Sequence, residues 1–455
     1  MNYYLIAFVT FISYILYKCY IYPLYLSPLR KIPGPPLDSL IFGHYATLLN
    51  KELDKVTTRL TKQYGGIVRY YGLFNKPNLL ISDPELIQTI LVNHSYDYPK
   101  HFINNTFSKE FMGDGIFLAK GDSHKRQRKM MQSSFTFTNI KEMVPTFVQA
   151  GHKLKDIWMK QIGNKKEERI TITELTSEIA LDVIGLVGFN YEFNSTTSGS
   201  ELAQAYKTIV NRNPSFLYRA FEAFFPFIRK LQIPYYNQYN NSIKIIKNVS
   251  ERLVGEQKDA TVRGKDLLSL LIKANENLPI DEQLTHNELL SQVMTLLIAG
   301  HETTSVALSW TLYFIAKNAD VQNRLRKEIL EIFTDRNHFP TFDEIEQLKY
   351  LECGTPITIA FHVFHHDPSI WGDDAEYFNP SRWLDPEIKS KVTNTNFLPF
   401  GAGPRNCLGM KMTQLELKSI LSIIIRNFEF RLVEGFTFKK KNIGMAKPIP
   451  GIDLL

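Results

Sequence analysis

The chain reads as a mainly α protein with small β-sheets, preceded by one N-terminal transmembrane helix. Three observations lead there. Residues 172–188, 267–275 and 287–317 repeat apolar side chains at helical spacing. Alternation of apolar and polar residues with β-branched and aromatic content is confined to short stretches, the clearest being 67–82. Residues 3–17 form an uncharged, mostly apolar run whose pattern continues past Lys18 to about Leu26, near the length a bilayer requires.

The elements follow from local signals in chain order. No basic region precedes the first apolar run and no small-residue cleavage site follows it, which favours an anchor over residues 1–26 rather than a cleaved signal peptide. Lys18, Arg30 and Lys31 lie on its C-terminal side, so a single-pass chain with a cytosolic body is expected. Lys31-Ile-Pro-Gly-Pro-Pro36 stiffens the backbone into an extended, non-helical hinge over 27–37. The alternating stretch 67–82 predicts a strand pair, and Asp83-Pro84 starts a short helix through Val92. Strand signal returns at 356–360, 428–432 and 436–438. No linker, repeat or low-complexity tract divides 38–455, so one large catalytic domain is expected.

Bulk properties exclude some functions. Three cysteines (Cys19, Cys353, Cys407) cannot build a disulfide framework and point to a reducing compartment. The net charge of +7 is modest and dispersed, without the dense Lys/Arg runs of a nucleic-acid binder. A basic patch that docks an acidic protein partner fits it better.

Two motifs carry chemistry. Residues 400–409 read Phe-Gly-Ala-Gly-Pro-Arg-Asn-Cys-Leu-Gly and run into an apolar helix-forming segment, 408–425. A thiolate there is stabilised by the free N–H groups and dipole of a helix N-terminus. Arg405 offers a cationic fork for a carboxylate. A cysteine thiolate beside a carboxylate-binding arginine describes a site for haem. Taken alone, Cys407 would read as a buried free cysteine. The second motif, Ala299-Gly-His-Glu-Thr-Thr304, sits inside the 287–317 helix. Gly300 costs about 1 kcal/mol there relative to alanine, and such violations mark functional sites. Ala299 and Thr303 share one face, leaving room for a flat ligand beside a hydroxyl, with Glu302 next to it to relay protons. A solvated Glu302 and a back-bonded threonine that bends the helix explain the same residues.

Both motifs resemble those of the cytochrome P-450 family. The first matches its haem loop, Phe-x-x-Gly-x-Arg-x-Cys-x-Gly, at every specified position. The resemblance implies that Cys407 is the proximal thiolate ligand of haem b iron, that Arg405 pairs with a haem propionate, and that Phe400 and Gly403 shape the loop. The second resembles the oxygen-activation motif, which implies that Glu302 and Thr303 are the acid–alcohol pair delivering protons during oxygen activation. Residues 121–129 resemble the family's C-helix. Arg128 stands at its propionate-binding Arg, and His124 where Trp is usual, a residue able to donate to a carboxylate. Lys125, Arg126 and Lys129 read equally as a solvated face or as a docking site for an acidic reductase. The Phe/Tyr/Leu-rich segment 214–239 lies where the family caps its substrate pocket. His301 occupies a variable position and is given no role. His362, His365 and His366 resemble the short helix before the family's meander rather than a metal cluster. The resemblance runs from hinge to C-terminus and implies the helix-rich P-450 prism. It also implies an endoplasmic reticulum membrane location and an NADPH-dependent cytochrome P-450 reductase as electron donor. The substrates implied are O2 and an apolar small molecule fed from the bilayer. Nucleic acid is not among the partners.

One departure stands out. Residues 373–383 resemble the family's meander, in which Arg382 should pair with a K-helix Glu-x-x-Arg. No Glu-x-x-Arg occurs anywhere in the chain. Residues 342–353 resemble the lead into the K-helix, and 354–360 resemble a strand found some tens of residues later. A segment is therefore expected to be missing between Cys353 and Gly354, as an omitted exon would leave it. Arg382 is then expected to be an uncompensated buried charge, costing about 3–5 kcal/mol. The alternative to a monooxygenase is a non-catalytic remnant that binds haem poorly.

Overall fold

The computed structural model describes residues 2–50, 53–100, 105–198, 200–210, 222, 225, 234–260, 264–353, 365–443 and 445–455. It is mainly helical with three small two-stranded sheets among the described residues. Asn2–Leu16 is an α-helix that continues in wider π-type turns over Tyr17–Leu26. The stretch Tyr3–Lys31 is long and apolar enough to cross a bilayer, a property that an anchor shares with a signal segment. The hinge is fastened to the body rather than free. Arg69 donates its backbone N–H to Pro33 at 2.8 Å, and the buried Asn75 amide donates to the carbonyls of Cys19 and Leu40.

The expected strand pair forms as Ile67–Tyr71 antiparallel to Pro77–Ile81, with Val68 opposite Leu80. Asp83 then caps the helix Pro84–Gln88 by accepting the Leu86 N–H, and π-type turns carry the chain on to Asn93. The three long helices appear as Ile172–Phe189, Leu267–Glu276 and His286–Lys317. The last begins at a capping box in which Thr285 and Glu288 satisfy each other's backbone N–H groups. His286–Lys317 packs along Ile172–Phe189, and Phe137–Ile162 packs along Met410–Asn427. Their apolar stripes close one core, with Phe147, Leu154, Ile179, Leu297, Leu417 and Ile424 fully enclosed.

The C-terminal strands lie elsewhere than the alternation suggested. Residues 428–432 contribute only an isolated bridge, Leu432 to Leu454, and 436–438 form no strand. The ladder instead pairs Lys439–Ile443 with Met445–Ile449. Phe428 and Phe430 stack edge-on against Trp158, so their spacing reflects helix packing rather than a sheet. The expected strand at 356–360, His362, and most of 214–239 lie outside the described residues. Among the described residues no group of His, Cys, Asp or Glu could hold a metal. His365 instead accepts the Leu398 N–H, and His366 faces Glu376.

Arg382 corrects one expectation. It is buried, yet not uncompensated. Its guanidinium donates to the carbonyls of Trp371 (2.9 Å), Asp374 (2.8 Å), Tyr377 (3.0 Å) and Asn379 (3.1 Å). The Asp374 carboxylate lies 3.2 Å away. The meander therefore wraps its own arginine, using main-chain oxygens that a sequence motif cannot display. Arg382→Met should strand these acceptors and cost about 3 kcal/mol, read as a lowered denaturant midpoint.

Candidate functional site

The 400–409 loop is closed by the Cys407 N–H donating to the Phe400 carbonyl at 2.8 Å. Gly403 has φ +68°, and a Cβ placed on it would meet the Leu91 carbonyl oxygen at 2.1 Å. Only glycine fits there, and the loop is thereby pressed against residues 91–92. Phe400 is buried behind it. The following helix starts at Met410, two residues later than expected, with Cys407 just ahead of its first turn. Cys407 is exposed. The surrounding protein still pushes its thiol pKa up, against a hydrogen bond from the Gly409 N–H and the nearby Arg128 charge. The helix start by itself therefore does not make a thiolate; burial outweighs it, and a cationic partner at the sulfur is needed.

Beside the cysteine stands a group of cations. Arg128 donates to both the backbone and side-chain oxygens of Asn406. Arg405 donates to the Ala119 carbonyl at 3.3 Å and lies over the Tyr96 ring. Each keeps a buried Nε without a partner. His124 is 3% exposed and shares a 3.1 Å hydrogen bond with the Tyr96 hydroxyl. Burial first, then Arg405, Lys100 and Arg128, push its pKa down to about 4. Burial and Arg405 likewise lower Lys100. No carboxylate is among the groups acting on His124, so these charges crowd a place that calls for anions. The roles of Lys100 and Asn406 were not foreseen; Lys100 meets Arg405, and Asn406 meets Arg128, only through the fold.

The His286–Lys317 helix is core-buried along most of its length, yet Ala299 and Thr303 are exposed. They open onto free space on one face, as their spacing predicted. Thr303 donates its hydroxyl to the Ala299 carbonyl at 2.6 Å. The helix-costly Gly300 has a packing reason: a Cβ on it would come within 2.8 Å of Ile184 on the neighbouring helix, so its smallness lets the two helices approach. His301 is buried against Ser177 at 2.8 Å, and burial plus Lys447 drive its pKa down to about 3. Glu302 does not face the same way as Thr303. It is buried and ion-paired with Lys447 of the C-terminal hairpin.

The two neutral histidines predict a pH dependence. Both titrate near 6.5 when unfolded, but near 4 and 3 in the fold. Between those values the unfolded chain binds more protons, so stability is full above pH 6.5 and falls as pH drops toward 4. The slope should approach about 1.4 kcal/mol per pH unit for each group, read by thermal unfolding of the haem-free chain across that window.

Residues 33–353 and again 351–455 match the family described as Cytochrome P450. The chain belongs to the cytochrome P450 family. It is 29% identical to Cytochrome P450 monooxygenase 128 of Postia placenta over 496 aligned residues, covering 93% of this chain and 90% of that protein. It is 27% identical to Cytochrome P450 monooxygenase sphH of Aspergillus fumigatus, covering 96% and 91%. It is also 27% identical to Cytochrome P450 monooxygenase claW of Ampulloclitocybe clavipes, covering 90% and 87%. By family, this P450 is a monooxygenase whose cofactor is haem, with iron ligated by a cysteine thiolate. The residues present fit such a group: an exposed cysteine, orphaned guanidinium nitrogens on Arg128 and Arg405, and a buried His124 on which only cations act.

Proposed function

We propose that this P450 inserts one oxygen atom from O2 into an apolar small molecule. Electrons would come from NADPH through cytochrome P-450 reductase, with the chain anchored in the endoplasmic reticulum membrane by residues 1–26. The observation that carries this reading is the exposed Cys407 set beside Arg128, Arg405, Lys100 and His124. Cys407 would ligate the iron, and the cations would hold the propionates. Phe400 and Gly403 would fix the loop, while Ala299 would leave room on the opposite face. The haem would supply oxygen activation; Thr303 and Glu302 would hold and move protons beside it. Lys125 and Lys129 are exposed on the C-helix and suit an acidic reductase, whereas Arg126 is engaged with Glu288 and the Gln283 carbonyl. The reading is tested by NADPH-supported turnover of the reconstituted chain with reductase. Haem-dependent NADPH consumption is expected; none at full haem loading would refute it.

A second reading, that this chain as it stands holds haem weakly, has its own support. A cavity of about 1320 Å³ opens between the K-helix lead, the meander and the haem loop. Cys353 and His365, on either side of 354–364, both line it, as do Trp371, Phe400 and Lys418. Lys418 is buried there with its ammonium hydrogen-bonded to nothing, and Glu346 and Glu352 no nearer than 3.5 Å. The family match also breaks at 351–353. The alignment to the Postia protein spans 496 positions against 455 residues here, so that relative carries residues with no counterpart. These observations support a missing K-helix segment between Cys353 and Gly354. The genomic DNA between those codons decides its origin: an open segment encoding Glu-x-x-Arg is expected, and a seamless junction would refute it.

A further inference from the structure

The acid and the alcohol of the oxygen-activation motif point to different surroundings. Thr303 is exposed, whereas Glu302, one residue and about 100° further round the helix, is enclosed. Its carboxylate meets the Lys447 ammonium, contributed by the strand Met445–Ile449 more than a hundred residues later. That strand is pinned to the same helix, because Trp310 donates its indole N–H to the Ala446 carbonyl at 2.7 Å. The side chains of Lys447 and Glu302 are 13% and 9% exposed, so the pair is largely enclosed, with a small edge of Lys447 open to solvent. His301 is the other titratable group of the helix that feels Lys447, and it is neutral.

We propose that Lys447 is a positioning residue for the P450 reaction: it holds the Glu302 carboxylate ionised against the C-terminal hairpin and supplies the proton that Glu302 carries toward Thr303. This rests on the monooxygenase reading above. In the step, one N–H bond of the Lys447 ammonium breaks and an O–H bond forms on Glu302. The neutral amine left on Lys447 regains its proton from water at its exposed edge. Burial favours the transfer, because it lowers the Lys447 pKa to about 8 and because the transfer removes both charges from an enclosed pair, against the mutual attraction of Lys447 and Glu302. An arginine in its place would keep the charge but would not give up a proton.

Two readouts on the full chain test this. The first is infrared difference spectroscopy at neutral pH, which needs no haem. Lys447→Met leaves a buried carboxylate without a counter-ion, so Glu302 should take a proton and show a new protonated-carboxyl band. Subtracting the unaltered chain removes the contribution of the buried Glu416, itself raised to about 8. The band should be absent in Lys447→Arg and in the Lys447→Met/Glu302→Gln double variant. Its absence from Lys447→Met would overturn the pairing. The second readout is hydrogen peroxide formed per product, normalised to haem. It should rise about a hundredfold in Lys447→Met and equally in Lys447→Arg, at the low end of what a positioned proton donor contributes. A Lys447→Arg variant that leaks no more than the unaltered chain would overturn proton supply by Lys447. If the unaltered chain consumes no NADPH, the monooxygenase reading has failed, and the infrared band alone decides the pairing.

Discussion

Gly403→Ala is expected to abolish haem binding while leaving most of the helical fold intact. The glycine occupies φ +68°, where an L side chain is strained by about 1–2 kcal/mol. Its new Cβ would also fall 2.1 Å from the Leu91 carbonyl oxygen and 2.9 Å from Val92 Cα. Those are backbone atoms, so no rotamer change relieves the clash, and overpacking adds about 1–3 kcal/mol. Relief requires the haem loop to lift from residues 91–92. The Cys407 N–H to Phe400 bond and the Arg128 to Asn406 bonds hold the same loop and would shift with it. Haem titration should show loss of saturable binding, with helical circular dichroism little changed. Ordinary haem affinity in this variant would contradict the geometry.

Restoring a K-helix segment should have a comparably large effect in the opposite direction. Inserting the corresponding stretch of a relative, with its Glu-x-x-Arg, between Cys353 and Gly354 is expected to tighten haem binding about a hundredfold. The insert would occupy the cavity walled by the already buried Trp371 and Phe400, so the gain comes from its own apolar side chains, at about 1.5–3 kcal/mol for each one fully buried there. It would also surround the Lys418 ammonium, which now lacks a hydrogen-bond partner. Roughly 3 kcal/mol transmitted to the haem-bound state equals two decades in affinity. The gain is not expected to come from Arg382, which the meander already satisfies with Asp374 and four carbonyls.

What the sequence made legible was local. The Pro84–Gln88 start, the strand pair and the three long helices follow from capping residues and periodicity, which act over a few positions. The motif around Cys407 was legible because one decapeptide holds the cysteine, its arginine and its turn-forming glycines. The rest depends on distant partners. Gly300 stood out by its cost to the helix, but the neighbour that needs its smallness, Ile184, lies over a hundred residues earlier. The strand Lys439–Ile443 is rich in lysine and shows no apolar alternation, whereas 428–432 alternates because its phenylalanines pack on Trp158. The helix start beside Cys407 suggested a thiolate, but the enclosing protein raises the thiol. Lys100 and Lys447 carry no motif; their neighbours Arg405 and Glu302 come from remote segments.

The central claim is that the haem loop and its cationic cradle are built, and that a K-helix segment, proposed to belong between Cys353 and Gly354, is what tight haem binding by this chain lacks. The reduced carbon monoxide difference spectrum of the unaltered, haem-saturated chain tests it most directly. The account predicts a small fraction of the red-shifted Soret band of a thiolate-ligated haem, rising toward stoichiometric once the segment is inserted. A full thiolate band from the chain as it stands would contradict it.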